Sequence, residues 1–252
     1  MHPAQVLPAG EVRASAGFSA NVAALGLSDA TGAARREAAA PPGGGPSPAR
    51  APDETFARGV LVAASVAPGL APFAGARVGI ADAFEGGLAY TGRAVRADVR
   101  RAFDLAPHWT LSLGIAGSAA LYGNQPSDPL PDVDLARVRG GGGDIPLLVG
   151  YDSDGGLYAA WLGARAGFEH AEASDLRDGA TGVGQAAPPP LALSANRFWA
   201  GGLLGVAAGF RHVHVAVELD VSYARVSGDY GPVHAAVEGI TLTPAGSLWW
   251  TF

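Results

Sequence analysis

The last fifteen residues, 238–252, constrain this chain more than any other stretch. Counted back from the end, one set of alternate positions is apolar or glycine, whereas the positions between them are mostly small and polar. The first set is Phe252, Trp250, Leu248, Gly246, Pro244, Leu242 and Ile240. A period of two with unlike sides predicts a β-strand whose two faces meet different media. Strands that pair with this one must also have one apolar face and one mostly small and polar face.

The same alternation recurs along the chain and predicts ten strands. They span residues 11–21, 56–67, 73–81, 88–103, 109–122, 144–151, 156–170, 196–210, 213–226 and the C-terminal stretch. An even number of antiparallel strands closes a barrel with both termini on one side. We therefore predict an all-β chain in which residues 1–252 form a single ten-stranded antiparallel β-barrel, with eight or twelve strands as alternatives.

Long segments rich in Ala, Gly and Pro interrupt the alternation at residues 22–54, 123–143 and 171–194. Each follows an odd-numbered predicted strand, whereas the connections after even-numbered strands are short. This asymmetry is typical of a membrane barrel with short periplasmic turns and longer extracellular loops. Aromatic residues gather near the predicted strand ends as two girdles, with Phe73 expected at the short-turn end and Phe84 at the loop end. We expect the three long segments to be exposed and mobile.

Composition narrows the class further. The chain has no Cys and therefore no disulfide, and its net charge of -6 argues against a nucleic-acid partner. Hydrophobic residues make up 48% of the chain, yet no run of about 18 of them occurs. They are dispersed by alternation, as in a transmembrane β-barrel. A soluble β-sandwich, the alternative, would turn its apolar face inward and its polar face to water.

The C-terminal strand resembles that of Gram-negative outer-membrane β-barrel proteins. The resemblance rests on the terminal Phe252, on Trp250 and on the alternate apolar residues before them. It implies a location in the outer membrane and contact with its lipid. It also implies that the barrel-assembly machinery reads this ending as an assembly signal. No basic start or apolar core precedes His2, so we expect that a signal peptide has been removed from the sequence shown.

If the apolar faces meet lipid, the opposite faces line the lumen and collect five residues of each charge. They are Glu11, Arg13, Arg77, Arg96, Asp98, Arg100, Arg165, Glu169, Glu218 and Asp220. About eight strands already fill with side chains, so a ten-stranded lumen is narrow. We expect an ion-pair network that fills the lumen, with Glu218, Asp220 or Glu169 completing the Arg96–Asp98–Arg100 set. The alternative is a narrow, porin-like channel lined by the same residues.

Signals for enzyme chemistry are weak. The sequence has no Gly-x-Ser-x-Gly elbow and no His-Glu-x-x-His motif. We place some carboxylates and His near the loop rim, but they match no paired-Asp or His-Asp motif of omptin-type rim proteases. They are Asp82, Glu85, His170, Asp229 and His234. Asp128, Asp132 and Asp134 fit no calcium-loop spacing. We expect no enzyme, metal or cofactor, and a structural or surface-interaction role.

Overall fold

The structure is a computed structural model that describes residues 3–39, 53–121, 130, 133–176 and 190–252. Within these residues, ten antiparallel strands form a closed barrel in which β1 pairs with both β2 and β10. The strands are β1 (Val12–Ala24), β2 (Gly69–Ala81), β3 (Phe84–Tyr90), β4 (Ala94–Ala106), β5 (Trp109–Ala120), β6 (Arg139–Asp152), β7 (Tyr158–Ala173), β8 (Leu193–Phe210), β9 (Val213–Tyr230) and β10 (Val233–Thr251). The predicted fold class and strand number are confirmed.

Helical segments join two of the strands. Helices α1 (Gly26–Ala38) and α2 (Glu54–Ser65) lie between β1 and β2 in the sequence. Single turns of 3-10 helix occur at Leu135–Arg137 and Asp154–Gly156. Among the described residues, no helix combines the length and apolar character needed to span a membrane.

The apolar face of the strands points outward. Leu113 of β5 is 47% exposed and Val217 of β9 is 54% exposed, whereas their neighbours Ser112 and Ala216 are buried. A soluble barrel would show the reverse pattern. The predicted orientation of the strand faces is therefore correct, and the charged positions predicted for the lumen on β2, β4, β7 and β9 do point inward.

Two boundary predictions are wrong, and their effects on the strand count cancel. Residues 56–67, predicted as a strand, lie mostly in α2, which begins where the Asp53 side chain accepts a hydrogen bond from Phe56 N at 2.9 Å. Its apolar residues are consecutive, so the alternation that predicted a strand there is not a true period of two. Residues 88–103, predicted as one strand, divide into β3 and β4 at a turn where Gly92 has φ 88°.

The helix at residues predicted as the second strand reverses the strand ends around residues 70–90. Phe84 lies at the short-turn end and Phe73 toward the loop end, opposite to the prediction, because β2 now descends from the loop end and β3 ascends. Arg93 lies in the turn between β3 and β4. The connections after β2, β4, β6 and β8 are short, and those after β1, β5 and β7 are long.

The strands also extend into segments predicted as loops. The glycine run 140–143 belongs to β6, and β7 and β8 reach Ala173 and Leu193. Glycine suits this wall because a Cβ on Gly142 would lie 2.3 Å from Phe168 O of β7. Residues 40–52, 122–129, 131–132 and 177–189, where the remaining loop predictions fall, lie outside the described residues.

Candidate functional site in the lumen

The middle of the lumen contains a charge belt, in which arginines and carboxylates alternate across six strands. The belt runs in the order Arg100, Glu85, Arg77, Asp98, Arg96, Asp144, Arg165 and Asp220. Each neighbouring pair is a salt bridge. Side chains on β2, β3, β4, β6, β7 and β9 must all point inward to build it, which the alternation of each strand provides.

Salt bridges of ordinary length connect most of the belt. Arg100 Nη2 lies 2.8 Å from Glu85 Oε1, and Arg96 Nη1 lies 3.1 Å from Asp98 Oδ1. Asp144 Oδ1 accepts from both Arg96 and Arg165 at 3.0 Å. Arg165 reaches Asp220 Oδ2 at 3.6 Å. Arg77 joins the two halves because it contacts both Glu85 and Asp98.

Six of the ten predicted lumen residues lie in the belt: Arg77, Arg96, Asp98, Arg100, Arg165 and Asp220. Two of its carboxylates were not predicted. Glu85 was predicted at the loop rim because residues 56–67 were counted as a strand, and Asp144 was predicted at the edge of a glycine-rich loop. The expected partners of the β4 charges were wrong in part, since Asp98 pairs with Arg77 across β3.

The other four predicted residues lie outside the belt. Glu169 binds Arg197 Nη1 at 3.1 Å, and Glu218 accepts a hydrogen bond from Trp161 Nε1 at 2.9 Å. The Arg13 guanidinium stacks on the Trp249 ring, with Cζ 5.1 Å from the ring centroid. Glu11 lies just before β1, and its backbone carbonyl accepts from Gly79 N at 3.0 Å.

The N-terminal segment closes the lumen at the short-turn end. Arg100 donates to the carbonyl oxygens of Pro3 and Gln5, and Leu7 N donates to Glu85 Oε2 at 2.9 Å. Ala4 is buried in an apolar cluster of inward side chains. That cluster comprises Ala4, Leu148, Trp161, Leu203, Ala207, Ala216 and Trp249. The charge belt therefore also anchors a chain segment that occupies one mouth of the barrel.

The loop-end plug, formed by α2 and the apolar residues around it, closes the other mouth. Helix α2 packs on the inner faces of β8, β9 and β10, where Ala195, Ala224 and Val226 are fully buried. Leu27 of α1 and Leu176 of the β7–β8 connection cover its other sides. The two helices touch closely, because a Cβ on Gly59 would lie 2.2 Å from Ala34 Cβ.

Arg93 joins the loop-end plug to the barrel. Its guanidinium donates to the carbonyl oxygens of Ala64 at 3.3 Å and Ser65 at 3.2 Å, at the C-terminal end of α2. A cation is favourable at this end of a helix. Burial lowers the pKa of Arg93, while Glu169 acts against the shift and Arg197 with it. Among the described residues, Arg93 forms no salt bridge within 4.0 Å.

A polar cavity remains between the two closed mouths. Its volume is about 300 Å³, and it lies above the charge belt. Arg93, Glu169 and Arg197 line it together with hydroxyl and amide side chains. These are Ser15, Ser19, Asn21, Thr91, Ser118, Ser222, Thr241 and Thr243. The cavity can hold water or a small polar group.

The residues proposed for the rim divide between the two ends. Asp82 and Glu85 lie at the short-turn end, which corrects their predicted position. At the loop end, His234 Nδ1 lies 2.8 Å from Asp229 Oδ1 with both side chains exposed, and His170 Nδ1 lies 2.9 Å from Asn196 Oδ1. Asp134 caps the 3-10 turn at Leu135–Arg137, whereas Asp128 and Asp132 are not described. Among the described residues, no His and carboxylate group could hold a metal ion.

Comparisons with known proteins identify no family. No family model matches the chain, and no curated protein matches it. A crystal structure of Neisserial surface protein A (NspA) aligns over 96% of each chain, with 13% identity and a TM-score of 0.31. A TM-score this low carries no argument about fold or function.

Proposed function

We propose that this chain is a small β-barrel of the Gram-negative outer membrane, with a structural or surface-interaction role. In this proposal, lipid surrounds the outer wall and the barrel-assembly machinery reads the strand that ends in Trp250 and Phe252. The lumen is filled by the protein's own side chains and segments.

The outer wall supports the membrane location. Large apolar side chains are exposed on strands all around the barrel, far beyond the scattered apolar residues of an ordinary soluble surface. Examples are Phe18, Ile80, Val99, Ile115, Leu147, Leu162, Leu204, Val217 and Leu248. Hydrocarbon is the medium that suits such a wall, and the ten described strands close on themselves, as a sheet in hydrocarbon must.

The closed lumen supports a structural or surface role over a channel. An open pore needs a continuous polar path, but the N-terminal segment fills one mouth and α2 fills the other. The charge belt crosses the space between them. With transport disfavoured, the loop end with α1 and α2 remains as the surface that other molecules can reach.

Lipid-phase quenching tests the location. Trp109 and Trp250 are about half exposed on the outer wall, whereas Trp161 and Trp249 are buried in the lumen. In vesicles made with brominated lipids, we expect quenching of Trp fluorescence that falls markedly in a Trp109→Phe/Trp250→Phe variant. A Trp161→Phe/Trp249→Phe variant serves as the matched control. Absence of quenching in the native protein would contradict the membrane location.

Planar-bilayer recording distinguishes a filled lumen from a porin-like channel. We expect no steady conductance from the inserted barrel, because both mouths are closed. A stable, ion-selective conductance would favour the porin-like alternative.

Protease added to intact cells should cut within the three long loop segments and spare the strands. Cleavage that requires permeabilised outer membranes would place the loops on the periplasmic side.

A further inference from the structure

The seam between β1 and β10 has a gap in its strand pairing. The ladder runs from Arg13–Thr251 to Ser19–Ala245 and resumes at Val22–Leu242. Ala20 and Asn21 therefore have no ladder partners on β10, although both pair with β2 on their other side. Pro244 stands in the gap, and proline has no N–H to donate to a neighbouring strand.

A side-chain contact spans the gap on the lumen side. Thr243 Oγ1 donates to Asn21 Oδ1 at 3.2 Å, and Asn21 Nδ2 donates to Val66 O at 3.4 Å. Val66 follows α2, whose last carbonyls accept from Arg93. Polar groups thus extend without interruption from the gap to the Arg93 guanidinium.

An apolar groove lies on the outer side of the same gap. Its volume is about 440 Å³, and its floor contains Ala20, Pro244 and Gly246. A Cβ on Gly246 would meet no atom within 4 Å, so the floor is open. Phe18 and Leu70 form one wall of the groove, and Leu204, Val206 and Val217 form the other. A hydrocarbon chain fits a trough of this chemistry.

The groove and the lumen cavity are separated only by the barrel wall. Ser19, Glu218 and Ala245 border both spaces. A second pairing gap at Pro146, between β5 and β6, differs in this respect. There the proline is buried and points inward, and Ile115 and Ile145 protrude outside. The combination of gap, outer groove and inner cavity is therefore a property of the β1–β10 seam.

We propose that this seam is a lateral binding site for a single-chain anionic amphiphile, such as a fatty-acid carboxylate. Its hydrocarbon chain lies in the outer groove, and its head group enters the gap toward Arg93. Arg93 suits that role because helix carbonyls, and no carboxylate among the described residues, are within 4.0 Å of it. The head group has to displace the Thr243–Asn21 contact and no ladder pair. The inference rests on the proposed membrane location, since only there does the groove meet hydrocarbon.

Photocrosslinking in lipid vesicles tests the site. The probe is a C16 carboxylic acid with a diazirine at mid-chain, and the matched probe has an alcohol head. After irradiation, peptide mass spectrometry maps the adducts on the native barrel. We expect the acid to concentrate on groove residues such as Phe18, Leu70 and Val217, and the alcohol to react there about tenfold less.

Variants separate the contributions of groove and cation. Gly246→Leu fills the groove and Arg93→Gln removes the charge, so each should lower the groove adducts about tenfold. Gly117→Leu, at an outward glycine of β5 on the opposite side of the barrel, should leave them unchanged. Arg93→Lys should retain most of the yield, which guards against a loss caused by misfolding.

The adduct map also distinguishes failure of this inference from failure of the membrane location. Adducts spread evenly around the outer wall would mean bulk-lipid contact, which keeps the location and overturns the site. Equal groove labelling in the native protein and Gly246→Leu would overturn it as well. Absence of adducts from the whole outer wall would overturn the location and the site together.

Discussion

The charge belt and the loop-end plug fill neighbouring parts of one lumen by opposite means. The belt places four arginines against four carboxylates, and each charge is stabilised only while its neighbours remain. The plug uses the apolar side chains of α2 against Ala195, Ala224 and Val226. Loss of a belt member leaves a buried charge, whereas loss of a plug member leaves a void. The two regions should therefore respond differently to truncation.

The largest effect is expected at Glu85. Its carboxylate is fully buried and contacts Arg77, Arg100 and Leu7 N. Glu85→Ala should lower the free energy of unfolding by about 3–5 kcal/mol, because two arginines lose a shared partner. Urea unfolding in vesicles measures this. Asp82→Ala, at the exposed turn two residues before β3, is the control and should change stability by less than about 0.5 kcal/mol.

Truncation in the plug should cost somewhat less. Leu61 of α2 is fully buried, so Leu61→Ala should lower the free energy of unfolding by about 2–4 kcal/mol through lost burial and a residual void. The exposed Thr55→Ala change in the same helix is the control. An effect at Leu61 below about 1 kcal/mol would mean that α2 does not pack in the mouth.

The sequence predicted the outside of this barrel better than its inside. Outward residues such as Leu113 and Val217 follow a strict period of two, because one medium surrounds every strand. Which charged side chains pair in the lumen depends on which strands lie side by side and on which end of each strand faces which mouth. One helix predicted as a strand, at residues 56–67, therefore placed Glu85 at the wrong end of the barrel.

The two segments that fill the lumen, helix α2 and the N-terminal segment, had no periodic signal in the sequence. Helix α2 has consecutive apolar residues, which fit a buried strand or a buried helix equally well. The N-terminal segment is too short and irregular to predict, yet Arg100 and Glu85 hold it in the barrel mouth. Asp144 could have been found from its inward phase on β6, had the preceding glycines been read as strand.

A third substitution tests whether water reaches the middle of the charge belt. Asp98 contacts Arg77 and Arg96 and borders the lumen cavity, unlike Glu85. Water in the cavity can solvate the two arginines. Asp98→Ala should therefore lower the free energy of unfolding by about 1.5–3 kcal/mol, less than Glu85→Ala. A cost equal to that of Glu85→Ala would indicate a dry belt. A cost below about 1 kcal/mol would indicate a lumen open to water, as in the channel alternative.

The smallest effect is expected at the start of α2, where the plug meets the surface. Asp53 is exposed, and its carboxylate accepts from Phe56 N and so satisfies one free donor of the first helical turn. Asp53→Ala should lower the free energy of unfolding by about 1 kcal/mol, the usual cost of losing such a cap. Asp53→Asn, which retains the acceptor oxygen, should recover most of it. Among the described residues, the adjacent Glu54 forms only an exposed pair with Arg58 at 2.5 Å, so Glu54→Gln should change stability by less than about 0.5 kcal/mol. If Asp53→Ala and Glu54→Gln prove equal, the cap does not fix the helix start, and tertiary packing alone holds α2 in the mouth.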